Sequence, residues 1–286
     1  MGANMLRRVA VAVVAIPAAL ALIWLGGWWL TGLVALVALL GTREVYRFAR
    51  QKGTRPFGGI GLPVAALVPV AAWMVLGPAA VDAVPYLFFA PLGLLALLIV
   101  ALATRTPDQH PMASVAITWF GVAYAAVLPT FLLVIRHGGG LGERSWPGVA
   151  LAFFPLVTVW VCDTAAMFAG KYLGGPRLAP VVSPGKTWSG TIVGALAATA
   201  IAPAYSALVL RPHQIRLELW QVLLIGASIG IVGQVGDLAE SLLKREAGMK
   251  DSSDLIPGHG GILDRLDSLY FVLPLTAALY RAFGLL

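Results

Sequence analysis

The sequence predicts an all-α protein that crosses a membrane many times as a single integral membrane domain, residues 1–286. Three observations carry that expectation. Hydrophobic residues make up 59% of the chain and charged residues only 12%, against about a quarter charged in soluble globular domains. The mean hydropathy is +0.86. The apolar residues also gather into runs of the length that a bilayer-spanning helix needs, about 17 to 25 residues, divided by short polar segments.

In chain order the runs place spans at 9–25, 28–42, 60–77, 86–103, 113–135, 149–169, 188–210, 219–239 and 268–286. The first two are short, with Gly26-Gly27 as a tight turn between them. One long broken helix over 9–42 is the alternative, reducing nine spans to eight. Arg7-Arg8, the apolar run behind them and Ala19-Leu20-Ala21 imitate a signal peptide. Retention is the better expectation, because apolar sequence resumes at once and an arginine-rich stretch follows residue 42. Prolines inside the spans (Pro17, Pro69, Pro129, Pro155, Pro203) are tolerated in membrane helices when neighbours satisfy the freed backbone groups. The segment 136–148 reads as a flexible external connector without chemistry.

Orientation follows from lysine and arginine in the loops. With nine spans and a cytoplasmic N-terminus, 15 of the 20 fall on the cytoplasmic side. The motifs described below fall there too. The net charge of +7 suits a surface facing anionic lipid headgroups. The basic residues are scattered among loops, which argues against a nucleic-acid partner. The single Cys162 excludes an intramolecular disulfide and a cysteine-cluster metal site.

Chemistry concentrates late in the chain. Residues 241–267 read SLLKREAGMKDSSDLIPGHGGILDRLD. So many charges beside a bilayer are costly and usually mark a site. Asp237, Glu240 or Ser241, and Lys244 recur at helical spacing and share one face. Gly258, Gly260 and Gly261 around His259 allow a turn whose N–H groups can face an anion. Asp264 and Asp267 follow at i, i+3, and carboxylates are the hard oxygen ligands that suit Mg²⁺.

Two further places stand out. Gly185-Lys186-Thr187 invites a P-loop reading, but the position five before Gly185 is Pro180 and no strand is expected ahead of it, so that reading is rejected. Asp163 is a lone acid in an apolar run, a functional hypothesis by default, with pairing to Lys171 or another base as the structural alternative.

The late segment resembles, position by position, the signature S-x-x-K-R-x4-K-D-x-S-x2-L/I-P-x-H-G-G-x-x-D-R-x-D of the phosphatidate cytidylyltransferases (CDP-diacylglycerol synthases). Ser183-Pro184-Gly185-Lys186-Thr187 with Gly190 is similar to that family's S-P-x-K-T-x-x-G box. The run from Asp163 to Lys171 is similar to a third family segment, with Met167 where tyrosine is common. The resemblance covers about residues 160–270. It implies catalytic helices and loops over 155–270 and leaves residues 1–150 as N-terminal helices without an assigned role.

The resemblance further implies transfer of the cytidylyl group of CTP to phosphatidic acid, giving CDP-diacylglycerol and pyrophosphate, at the plasma membrane with the site facing the cytoplasm. Asp237 and Asp264 are implied as ligands of Mg²⁺, two ions being expected, with Asp267 as a third ligand. Lys186, Lys244, Arg245 and Arg265 would hold phosphates; Ser241 and the His259, Gly260, Gly261 turn would add hydrogen bonds. Asp163, Ser183, Thr187, Lys250 and Asp251 complete the expected nucleotide-binding set. A homodimer is left open.

A CTP-dependent lipid kinase or an ether-lipid cytidylyltransferase is the nearest alternative. A CDP-alcohol phosphotransferase would need late aspartates four apart, and these are three apart. A cation-coupled transporter would need acids near the midplane and inverted repeats; no repeat is visible.

Overall fold

The structure is a computed structural model that describes residue 13 and residues 17–76, 86–255 and 260–286. Among these it is helical almost throughout. The α-helices are α1 (Gly27–Gln51), α2 (Gly58–Leu76), α3 (Tyr86–Thr104), α4 (Pro111–Val122), α5 (Leu128–His137), α6 (Trp146–Tyr172), α7 (Trp188–Tyr205), α8 (Leu219–Glu246) and α9 (Leu263–Ala282). Residues 17–25 are also helical, and the helix is interrupted at Gly26, which with Gly27 adopts positive φ. Residues 9–12 and 14–16 of the expected first span lie outside the described residues.

Among the described residues, six helical segments are long and apolar enough to cross a membrane: Gly27–Gln51, Gly58–Leu76, Pro107–Gly140, Trp146–Tyr172, Trp188–His213 and Leu219–Glu246. Residues 90–104 add a shorter apolar helix. A multi-pass membrane protein is the plain reading.

One expectation needs correction. A strand does precede Gly185-Lys186-Thr187: β1 (Arg177–Ala179) pairs antiparallel with β2 (Ser183–Thr187), Arg177 opposite Thr187 and Ala179 opposite Ser183. Pro180 and the two valines after it turn the chain between them. The P-loop stays rejected, because the glycine, lysine and threonine lie within a strand and not in a loop around an anion.

The chain divides into two compact units. In the first, which includes Gly27–Leu133 and Glu246–Arg265, the Tyr46 ring lies where two glycines leave room. A Cβ at Gly61 of α2 or at Gly121 of α4 would overlap it. Its hydroxyl donates to the Thr118 carbonyl (2.9 Å), and the Thr42 hydroxyl donates to that of Gly121 (3.3 Å). Ala38, Ala65, Val122 and Ala126 fill the space beside them. A π-turn at Ala123–Val127 leads into α5 just ahead of Pro129. Proline lacks an N–H and clashes with the carbonyl four residues back, and a widened turn absorbs both.

The second unit comprises Ile23–Gly26, Val134–Arg245 and Leu266–Leu286. Gly190, Gly194, Ala198 and Ala202 recur every fourth residue along α7, and all are buried. A Cβ at Gly194 would lie 3.0 Å from both the Cys162 carbonyl oxygen and the Ala166 Cβ of α6. On α8, a Cβ at Gly226 or Gly230 would meet Ala202 or Ala198 at 2.7 or 2.8 Å. Small residues let helix backbones approach closely, which is how membrane helices pack without a hydrophobic drive between them.

The segment 136–148 is not a loose connector. Arg136 is fully buried, and its guanidinium donates to the carbonyls of Ile23, Trp24, Gly142 and Glu143. A buried cation needs partners, and these carbonyls supply them. The segment is pinned to the end of the 17–25 helix.

Candidate active site

In the second unit the charged side chains converge from three helices and the ribbon. β2 delivers Lys186, whose Nζ lies 2.7 Å from Asp237 Oδ2 on α8 and donates to the Gln234 carbonyl at 3.3 Å. Ser241, one turn further along α8, donates to Asp237 Oδ1 (3.4 Å). Asp163 of α6 and Asp267 of α9 both interact electrostatically with Asp237 and with each other. Asp163 therefore faces Lys186, not Lys171, whose ammonium sits 5.6 Å from the Tyr172 ring centroid. A Cβ at Gly236 would come within 2.7 Å of the Asp267 carbonyl oxygen, so glycine there lets α9 lie against α8 at Asp267 and Phe271.

The other expected binding residues take assorted places. Lys244 is buried and pairs with Glu240 at 3.2 Å, the acid being wholly enclosed. Arg245 Nε donates to the Val182 carbonyl (3.2 Å), tying the end of α8 to the ribbon's turn. The buried Thr187 hydroxyl caps α7 by accepting the Gly190 N–H at 3.2 Å. Ser183 sits opposite Ala179 in the ribbon. Lys250, Asp251 and Arg265 are exposed. His259 lies outside the described residues.

In the first unit, Asp264 holds a loop together. Its Oδ2 accepts the Ser252 N–H (2.7 Å) and the Gly261 N–H (2.9 Å), and lies 2.8 Å from the Ser252 hydroxyl, whose one proton it shares with Glu44. Gly260 has φ +80°, and a Cβ on it would run into the Asp264 carboxyl. Glu44 of α1 is buried and joins the same loop. Its Oε2 accepts from Ser252 Oγ (2.8 Å) and Leu263 N (2.9 Å), its Oε1 from Ser253 Oγ (2.5 Å) and Ile262 N (3.1 Å).

Sequence reasoning missed Glu44, Ser252 and Gln234. A signal for Glu44 was present: it is the only acid among the first 81 residues, and a lone acid in an apolar stretch is a functional hypothesis. Gln234, also buried, donates to the Thr191 and Gly230 carbonyls (3.0 and 2.8 Å) and touches Cys162 Sγ. It is a polar tie among α6, α7 and α8.

Among the described residues, no three His, Cys, Asp or Glu side chains are drawn together as a metal cage. Magnesium does not require one: it takes one or two carboxylates and completes its shell with phosphate oxygens and water. Asp163 and Asp237 beside the Lys186 ammonium, and Asp267 beside Asp237, are hard oxygen donors, and their chemistry fits such an ion.

The profile of the Cytidylyltransferase family matches residues 6–283. The chain belongs to that family. Among its relatives, a phosphatidate cytidylyltransferase of Synechocystis is 33% identical over 292 residues, covering 94% of each chain. That of Brucella suis is 43% identical over 164 residues, 57% of this chain and 55% of its own. That of Pseudomonas aeruginosa is 38% identical over 209 residues, 66% of this chain and 76% of its own. This cytidylyltransferase thus shares sequence with one relative along nearly its whole length, the N-terminal helices included.

Proposed function

We propose that this membrane cytidylyltransferase transfers the cytidylyl group of CTP to phosphatidic acid. A phosphate oxygen of the lipid bonds to the α-phosphorus as the bond to the bridging oxygen breaks, and pyrophosphate leaves. The observation that carries the reading is the Lys186–Asp237 pair with Asp163 beside both and Asp267 beside Asp237, in a chain whose family and relatives act as cytidylyltransferases.

The lipid phosphate is already ionised, so no strong base is needed. The difficulty is bringing two polyanions together, and positioning with charge neutralisation answers it. Lys186, steadied by Asp237 and the Gln234 carbonyl, is the cation placed to meet a phosphate. Asp237, with Asp163 and Asp267 beside it, would hold Mg²⁺, two ions by the family resemblance; bound magnesium would screen phosphate charge. Asp264 acts through the loop it closes, and Arg265, Lys250 and Asp251 stand exposed for further contact with the nucleotide. Lys244 and Arg245 support the end of α8. The nine-span topology with a cytoplasmic N-terminus would turn this machinery toward the cytoplasm at the plasma membrane.

The test is transfer of label from [α-³²P]CTP to dioleoyl phosphatidic acid in detergent, with and without Mg²⁺, in wild type and Asp237→Asn. Labelled CDP-diacylglycerol that depends on Mg²⁺ and disappears in the variant supports the reading. Label passing from [γ-³²P]CTP to an isoprenoid alcohol would replace it with a lipid kinase. No turnover of either lipid by folded protein would overturn both.

A further inference from the structure

We infer that Glu44 is a positioning residue for the described signature residues 250–255 and 260–265, so that the N-terminal helix α1 sets the geometry of a segment more than 200 positions away. The inference deepens the cytidylyltransferase reading and rests on it.

Glu44 is 4% exposed, and a carboxylate so enclosed must be satisfied by nearby donors. Its donors are two hydroxyls and two backbone N–H groups, and every one belongs to this loop: Ser252, Ser253, Ile262 and Leu263. Since α9 begins at Leu263, the Ile262 and Leu263 N–H groups are among those a helix start leaves without an intrahelical partner. Glu44 caps that start with a full negative charge, the sign the helix N-terminus favours. Asp264 fastens the same loop from within, and the Ser252 hydroxyl lies 2.8 Å from each carboxylate. Two acids thus clamp the loop, one carried by α9 and the other by α1.

The tight fit around Gly261 supports the assignment. A Cβ there would overlap both the Ser252 hydroxyl and the Glu44 carboxyl. The segment so clamped carries Lys250 and Asp251 in the loop and Arg265 in the first turn of α9, the exposed charges proposed to meet the nucleotide. Reacting groups displaced by about 1 Å can cost on the order of 10²-fold in rate, so the clamp matters to catalysis as well as to folding.

The experiment uses the full chain in detergent, with Glu44→Gln and Ser253→Ala. Glutamine keeps the shape but turns an NH₂ toward one pair of donors. The serine of that pair can rotate to accept; the backbone N–H cannot. Hydrogen exchange of the segments covering 252 and 261–263 is read beside kcat and the KM for CTP. For Glu44→Gln we expect exchange about tenfold faster in these segments, as the loss of a hydrogen bond to a charged group would give, with α8 unchanged. We also expect kcat/KM for CTP to fall by ~10- to 10²-fold, part of it as a raised KM. Ser253→Ala, which removes one bond of the clamp, should shift the same segments in the same direction by less.

Unchanged loop exchange in both variants would overturn the inference. So would unaltered kcat and KM per folded molecule. If Glu44→Gln does not fold, Ser253→Ala decides alone: no shift of exchange in its loop overturns the clamp. If wild type itself transfers no cytidylyl group, the reaction assignment fails, whereas the exchange result still judges the clamp.

Discussion

Replacing Lys186 with alanine separates a structural role from a chemical one by magnitude. The Lys186–Asp237 pair is short, 2.7 Å, but its side chains are 21% and 33% exposed. Pairs with that much access to water contribute at most about 1 kcal/mol. If the lysine serves only to hold β2 against α8, its loss lowers the folded-to-unfolded ratio by about fivefold, and activity per folded molecule is unchanged. If it neutralises a phosphate, it acts where charge rearranges during reaction. Removing one such preorganised group costs about 10²- to 10³-fold in kcat, some 2.7–4 kcal/mol. Lys186→Ala should therefore lose at least 10²-fold in cytidylyl transfer while its thermal midpoint drops by only a few degrees. Lys186→Arg, which keeps the charge, should recover part of the rate. Steady-state transfer to phosphatidic acid, normalised to folded protein, is the assay. An alanine variant within threefold of wild type, or one whose loss tracks its melting, would refute the reasoning.

Other predictions follow from the packing and the caps. Arg136→Met strips its hydrogen bonds from the Ile23, Trp24, Gly142 and Glu143 carbonyls. It should destabilise by about 3 kcal/mol or more, seen as a lower midpoint in detergent with activity retained by the folded fraction. Gly194→Leu drives a side chain into the Cys162 carbonyl and Ala166, each 3.0 Å from a Cβ. It should cost at least about 1–3 kcal/mol and abolish folding well before a surface leucine would. Thr187→Ala removes the cap of α7 and should cost about 1 kcal/mol with KM for CTP unchanged; a raised KM would return Thr187 to the nucleotide site. Chelation of divalent ions should stop transfer reversibly, and added Mg²⁺ should restore it without a change in helix content by circular dichroism.

The helices were legible because hydropathy sets their length directly: the expected 219–239 and 188–210 lie within α8 and within α7 and its extension. Asp237 and Asp163 were legible for the same reason, since a charge in apolar sequence announces itself, whereas Lys186 was legible from the box formed by Ser183, Pro184, Lys186, Thr187 and Gly190. What stayed hidden depends on who meets whom. Thr187 reads like a nucleotide contact, yet its hydroxyl is used by a helix start three residues on. Segment 136–148 reads as loose because glycines and charges suggest solvent. Arg136 instead turns inward to carbonyls more than a hundred positions earlier. Glu44 shows the same blindness to long-range partners, its donors lying over 200 residues downstream.

The ribbon between α6 and α7 has a consequence for how this region can change. Lys186 and Thr187 are neighbours in sequence with opposite duties, one reaching Asp237 and the other buried at the head of α7. Successive strand residues point to opposite sides, so a shift of one position exchanges them. The ribbon is also held at both ends, by the pairing of Arg177 with Thr187 and by Arg245 at the Val182 carbonyl. With the start of β2 held, a single-residue deletion at Pro184 or Gly185 would thus present Thr187 to the acids and put Trp188 where the cap of α7 belongs, an error of phase that no neighbouring side chain could repair. Side-chain swaps here should be graded in effect; changes of length should be all or nothing.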